Sequence, residues 1–364
     1  MNYLKRQQNL RETFADQGID SMLITHPVNV RYLTGFTGDS THLLVSEDKV
    51  ELLSDGRFTV QLQEECPEIP AIIRDVKTTL PQATANWLGS TANQTIGFES
   101  DRVVHSLWSA LAEEATLKPV CGLVETLRTI KDAEELLEIQ AAVEMAERAF
   151  TVFRHQLSPD WTERQAASIL EELLRQEGAV GFAFDVIIGA GANAALPHAP
   201  LRDVELGSAE LVLIDWGART PSGYCSDLTR TLLTPNAPEP MREIYQLVLD
   251  AHDKAIEAIA PGVPCIEVDQ IARIYLTEAG YGKEFNHGLG HGFGLEVHEA
   301  TRFSPSSSDV LQPGMVVTIE PGIYLQDVGG VRIEDDILVT ETGCRSLSTL
   351  KTSLNDAMIP AWGQ

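Results

Sequence analysis

The sequence predicts an α/β (α+β) chain in two domains, a small α/β domain over residues 1–125 and a larger mixed domain over 126–364. Three observations carry this expectation. At 364 residues the chain exceeds the size at which one hydrophobic core usually stops growing, so a second core is needed. Strand-type runs mark the first third, whereas from Lys131 the apolar spacing becomes that of a long helix. Two strand pairs carrying acidic residues then follow in the second part.

In the first domain SMLITHP reads as a strand, and THLLVSEDKVELLSDG as a hairpin broken around Glu47 and Asp48 and closed by Gly56. Over 131–157, Leu136, Ile139, Val143, Ala146, Phe150, Phe153 and Leu157 recur at 3–4 spacing, one face of a long helix that opens the second domain. A second helix starts at Thr162, whose partner Gln165 completes a capping box, and stops at Gly178. Helices over 239–259 and 266–279 follow, the latter closed by Gly280. ELVLIDWGA and YCSDLTRTLLT flank the turn RTPSG, and MVVTIEPGIYL and VRIEDDILVT flank QDVGG, each pair an antiparallel hairpin with Pro or Gly at its tip.

Composition narrows the function. Hydrophobic residues make up 43% and charged residues 22%, with no apolar run long enough to cross a bilayer. The start, MNYLKRQQNLRETFADQG, lacks the apolar core of a secretory signal, so a cytoplasmic address is expected. Five scattered cysteines without a CxxC pair read as reduced thiols. Acidic residues outnumber basic ones 53 to 27, and the net charge of −26 repels nucleic acid and anionic membranes, which are set aside as partners.

The chemistry gathers around GLGHGFGLEVHE, which holds His291 and His298, with His287 just before it, in a chain of nine histidines. A lone histidine in a glycine-rich loop is ordinary; the acids nearby are not. Asp215 follows LVLI and Glu320 follows VVTI, so both are expected to be buried at strand ends, and each has an acidic partner on the returning strand, Asp227 and Glu334. Separations of 12 and 14 are even, as direct cross-strand opposition requires, so each pair can share a sheet face. Buried carboxylates without a cation are strongly disfavoured. Four carboxylates and an imidazole exceed one structural zinc site and suit two adjacent divalent ions, with Mn²⁺, Co²⁺, Fe²⁺ or Zn²⁺ fitting the oxygen-rich set.

DWGARTPSGYCSDLTRT, HGLGHGFGLEVHE, TIEPGIY and GVRIEDDILVT, in this order, resemble the signature blocks of the pita-bread metallopeptidases, in particular the proline-selective branch of aminopeptidase P and prolidase. VRYLTGFTG and TLRTIKDAEE resemble that branch's creatinase-type N-terminal domain and linker. The resemblance implies a creatinase-type domain over 1–125 and a pita-bread catalytic domain over 126–364. It makes Asp215, Asp227, His291, Glu320 and Glu334 the ligands of two divalent ions, most readily Mn²⁺, with Asp227 and Glu334 bridging. His298 would meet the substrate carbonyl, His198 in LPHAP would hold the substrate, and Arg332 would orient the carboxylates. His287 and Arg302 become substrate-pocket residues, Arg302 as a cation for a free carboxylate.

A water shared by two such ions is acidic enough to give a nucleophile near neutral pH, and no GxSxG elbow competes for that role. Glu320 would relay the proton. The expected reaction is hydrolysis of Xaa-Pro bonds in proline-containing peptides with release of the N-terminal residue, an Xaa-Pro aminopeptidase; the LTGFTGDS block inclines the reading that way. The alternative is an Xaa-Pro dipeptidase (prolidase), and a distant one is a non-catalytic pita-bread binding module. Methionine aminopeptidases lack the N-terminal domain, and creatinase works without metal. A homodimer is also expected, formed through the N-terminal domain with Tyr32 and Phe36 of VRYLTGF at or near the contact. Two departures from the family stand out: an Asp215–Asp227 interval one residue longer than the commonest, and Thr301 in HEATRF where the family often has proline.

Overall fold

A computed structural model describes residues 1–90 and 94–362. The chain divides into two compact units, Met1–Arg128 and Thr129–Gln364.

The first unit is built on a six-stranded sheet of Ser21–Ile24 (β1), His42–Ser46 (β2), Val50–Ser54 (β3), Ala71–Ile73 (β4), Thr95–Glu99 (β5) and Thr116–Val120 (β6), in the order β4-β3-β2-β1-β5-β6. The β1–β2 and β2–β3 pairs are antiparallel, and β1–β5, β3–β4 and β5–β6 are parallel. Helices Tyr3–Glu12 (α1), Phe14–Gln17 (α2), Pro27–Thr34 (α3), Thr59–Glu65 (α4), Leu80–Gly89 (α5), His105–Ala112 (α6) and Leu123–Thr129 (α7) accompany it. The segment VRYLTGF corrects an expectation. Pro27 presets the first turn of α3, and Gly35 closes it in a left-handed conformation at φ 83°. Tyr32 and Phe36 are then 4% and 0% exposed, and the Tyr32 hydroxyl donates to the Leu127 carbonyl at 3.2 Å. These rings are part of their own unit's core and offer no surface to a second copy.

The second unit opens with Ala133–Gln156 (α8), started by a capping box between Asp132 and Glu135, and Glu163–Gln176 (α9), started by the Thr162–Gln165 box. Strands Gly181–Phe182 (β7), Ile187–Ala190 (β8), Leu211–Trp216 (β9), Ala218–Arg219 (β10) and Leu228–Leu233 (β11) follow. Helices Glu239–Glu257 (α10) and Cys265–Glu278 (α11) come next, then Gly290–Gly292 (β12), Glu299–Phe303 (β13), Val316–Ile319 (β14), Gly322–Leu325 (β15), Gly329–Arg332 (β16), Asp335–Val339 (β17) and Cys344–Ser346 (β18). Sheets run β11-β9-β8 and β13-β12-β14-β17-β18, with β15–β16 and β10–β7 as short pairs.

Strand β9 shows why the sheet lies between two helix layers. Leu211 and Leu213 join the core built with α10 and α11, whereas Val212, Ile214 and Trp216 join the core built with α8 and α9. The Trp216 ring stacks on Phe150 with centroids 4.2 Å apart, and its indole N–H donates to the Ala146 carbonyl at 3.1 Å. A strand buried on both faces leaves only its end free for chemistry, and Asp215 sits near that end.

Candidate active site

The two acidic hairpins are joined by a bridge between Thr229 and Glu334, so four carboxylates from distant parts of the sequence come together. In the second hairpin the ladder pairs Ile319 with Asp335 and Gly322 with Arg332. The same register carried through the intervening residues sets Glu320 directly opposite Glu334. The first hairpin departs from the expected opposition: Asp215 faces Thr229, and Asp227, two residues before Thr229, is its diagonal neighbour on the same face. The register runs unbroken to the Arg219–Cys225 bridge, and the turn beyond is closed by Thr220 N–H donating to Tyr224 O at 2.9 Å. The longer interval therefore lies in the turn, and Asp215 keeps its face.

Ligand-type atoms of Asp227, His291 and Glu334 lie within 4.8 Å of one another, all three residues buried. The His291 Nδ1–H donates to the Gly292 carbonyl at 3.2 Å, which leaves the Nε2 lone pair facing outward. That nitrogen is 3.7 Å from Asp227 Oδ2 and 3.5 Å from Glu320 Oε1. Burial holds the imidazole neutral, its pKa pushed down to about 3, so it does not neutralise these acids. Burial, then repulsion from neighbouring carboxylates, drives the carboxyls of Asp227 and Glu334 well above their usual range. Burial raises Glu320 to about 8. Asp215 is also raised by burial, against the pull of Arg332, and its Oδ1 is buried without a hydrogen-bond partner. Lone pairs that face lone pairs, with an orphaned carboxylate oxygen beside them, fit a set of divalent-cation ligands.

The surrounding side chains hold this set in place. Arg332, 2% exposed, donates through Nη2 to Asp215 at 2.5 Å, through Nε to Thr229 Oγ1 at 3.0 Å, and through Nη1 to the Tyr324 hydroxyl at 2.6 Å and the Pro197 carbonyl at 3.3 Å. Thr229 Oγ1 in turn donates to Glu334 at 2.6 Å. His287 donates from Nδ1 to the Gly288 carbonyl at 2.7 Å and accepts at Nε2 from the Tyr324 hydroxyl at 3.0 Å. It stands one residue back from the carboxylates, behind Tyr324. Burial lowers its pKa to about 4.

All ten residues singled out in the sequence line one cavity of about 1620 Å³. His298 sets its ring T-shaped to that of His291, centroids 4.4 Å apart, and partial burial lowers its pKa. His198 lies on an exposed stretch after a 3₁₀ turn at Gly191–Ala195. Arg302 is exposed at the rim. Thr229 and Tyr324 were not singled out. Their even spacing from Asp227 and Glu320, two and four residues, is the signal that places them on the same faces.

Residues 138–341 match metallopeptidase family M24, and residues 6–130 match the creatinase/prolidase N-terminal domain. The chain belongs to metallopeptidase family M24, as the resemblance to the pita-bread peptidases had implied. Among similar proteins, the Xaa-Pro dipeptidase of Pyrococcus furiosus is 36% identical, covering 96% of this chain and 99% of the relative. The structure of an Xaa-Pro dipeptidase from Bacillus anthracis aligns with a TM-score of 0.92 at 35% identity, covering 97% of this chain and 99% of that one. An X-Pro aminopeptidase from Thermotoga maritima aligns at 0.87 and 34%, covering 95% and 98%.

Proposed function

We propose that this peptidase is an Xaa-Pro dipeptidase using two divalent ions, most readily Mn²⁺, held by Asp215, Asp227, His291, Glu320 and Glu334. The observation that carries the metal reading is the cluster of Asp227, His291 and Glu334, whose lone pairs face one another in a buried site. When bound, the ions supply Lewis-acid polarisation and a water acidic enough to be deprotonated near neutral pH. The chain's own residues supply the rest. His298, beside His291 on the cavity wall, donates to the oxygen of the carbonyl before proline as negative charge develops there. Glu320 accepts the proton that the nucleophile loses. His198 holds the substrate on the opposite loop, and Arg332 fixes Asp215 and, through Thr229, Glu334. His287 lines the deeper part of the pocket.

Substrate length separates this reading from the aminopeptidase first expected. Two of the three similar proteins above bear dipeptidase names, and Arg302 offers a cation at the rim for the free carboxylate of a C-terminal proline. Cleavage of Ala-Pro and Ala-Pro-Ala under Mn²⁺ decides between them: Ala-Pro is expected to be the better substrate by far, and preference for the tripeptide would return the chain to the aminopeptidase reading. A homodimer belongs to the same proposal, with a light-scattering mass about twice 39.9 kDa as its check. Among the described residues no helix is long and apolar enough to cross a membrane, and the composition supports a cytoplasmic address.

A further inference from the structure

His298 ends a turn that is held from every side. The Gly294 carbonyl accepts from Cys225 N–H at 2.8 Å, and Gly294 N–H donates to the Glu296 carbonyl at 2.9 Å. Arg219 Nη1 donates to the Leu295 carbonyl at 3.4 Å. The next residue, Glu299, turns its carboxylate back beneath the turn: Oε1 accepts from Leu295 N–H at 2.9 Å and Glu296 N–H at 3.2 Å, and Oε2 meets Lys131 Nζ at 3.1 Å. The two side chains of that ion pair are 2% and 3% exposed. Lys131 lies 168 residues from its partner, just ahead of α8.

The backbone is bent to allow this. The β12–β13 ladder steps from His291 opposite Arg302 to Gly292 opposite Glu299, so Ala300 and Thr301 have no partner in the ladder, and Thr301 turns inward, 5% exposed. Thr301 takes φ 85°, a conformation that is strained for a β-branched residue. Gly292 is required there, since a Cβ would lie 2.1 Å from the Ala300 carbonyl oxygen. Burying an ion pair and straining a threonine both oppose folding, and bulges of this kind re-aim side chains beside active sites.

We propose that Glu299 is a positioning residue for His298: its side-chain oxygen holds the Leu295 and Glu296 N–H groups, which fixes the turn and aims the imidazole at the cavity, while Lys131 neutralises the carboxylate in its buried site. The proposal rests on the reading of His298 as the group that meets the substrate carbonyl. Neither residue touches substrate, so their effect passes through His298 alone.

Two double variants test it without leaving a lone buried charge. Lys131→Met with Glu299→Gln keeps an acceptor for the two turn N–H groups; Lys131→Met with Glu299→Met removes it. Folding is checked by circular dichroism and metal content by elemental analysis. The Met/Met protein is expected to lose kcat on Ala-Pro by ~10- to 100-fold, the scale of a misplacement of about 1 Å, with KM within about threefold, and the Met/Gln protein to recover most of that loss. Crystal structures should keep the His298–His291 rings near 4.4 Å in the Met/Gln protein and separate them in the Met/Met protein. Equal kcat in the two variants, or an unmoved His298 ring in the Met/Met protein, overturns the proposal. If the wild-type chain cleaves no Xaa-Pro substrate, the peptidase reading fails, and the ring separation alone then decides whether Glu299 aims His298.

Discussion

A buried carboxylate occurs in both units, and the two are resolved in opposite ways. In the first unit Glu99, 3% exposed, accepts from Thr25 N–H at 2.7 Å, His26 N–H at 2.9 Å, Asn29 Nδ2 at 2.7 Å and Thr25 Oγ1 at 3.1 Å. Fixed N–H dipoles supply what water would have given, and no cation is called for. In the second unit Asp227 and Glu334 face other carboxylates and a neutral imidazole. Burial of an acid does not by itself mark a metal site. The inventory of donors around it does.

The largest effect expected from this contrast is on activity. Exhaustive chelation should abolish peptidase turnover and Mn²⁺ should restore it; full activity in protein shown by elemental analysis to be metal-free breaks the distinction between the two carboxylate sites. His298→Ala is expected next, with turnover down by roughly 10²-fold or more and bound metal unchanged. Loss of metal in that variant would make His298 a ligand rather than a group that meets the substrate.

A third expected effect is on stability, and its sign follows from the titrations. Asp227, Glu334 and Glu320 have folded pKa values raised above those of the unfolded chain, Glu320 to about 8. The folded state therefore binds more protons, and the stability they contribute is present at low pH and lost as pH rises through the folded values. His291 and His287, lowered to about 3 and 4, titrate the other way, but only below about 6.5. From pH 7 to 9 the carboxylates act alone at this site. Metal-free protein should melt at falling temperature over that interval, and Mn²⁺ should remove the decline. Asp227→Asn should raise the metal-free melting temperature at pH 8, because it deletes a repelling charge, while weakening the rise that Mn²⁺ gives. A decline that Mn²⁺ leaves untouched would place its origin elsewhere.

Much of the site was legible because strand geometry is periodic. Even spacing put Asp215 with Asp227 and Glu320 with Glu334, and the capping box at Thr162 was readable from local sequence, whereas the one at Asp132 emerged only in the structure. Register was not readable. Period two fixes the face but leaves the pairing free by two residues, which is how direct opposition was expected for Asp215 and a diagonal was found. VRYLTGF was placed at a dimer contact because an apolar, aromatic-bearing run looks the same in sequence whether it faces a partner or its own unit's core. The Lys131–Glu299 pair was invisible for another reason: contacts across 168 residues leave no mark in a single sequence.

The smallest expected effect tests the other half of the contrast. Glu99→Gln keeps the side chain's shape but replaces one acceptor oxygen by an amide donor that points at donors. The oxygen most exposed to this loss is Oε2, which serves Thr25 N–H, Thr25 Oγ1 and His26 N–H. The retained oxygen can serve that group or Asn29, not both. One buried donor left without an acceptor costs roughly 1–3 kcal/mol, a loss readable by urea unfolding. Because N–H groups rather than a cation satisfy Glu99, that cost should be the same with Mn²⁺ and with chelator. A cost that appears only in one of the two conditions would tie Glu99 to the metal site and erase the difference between the two buried acids.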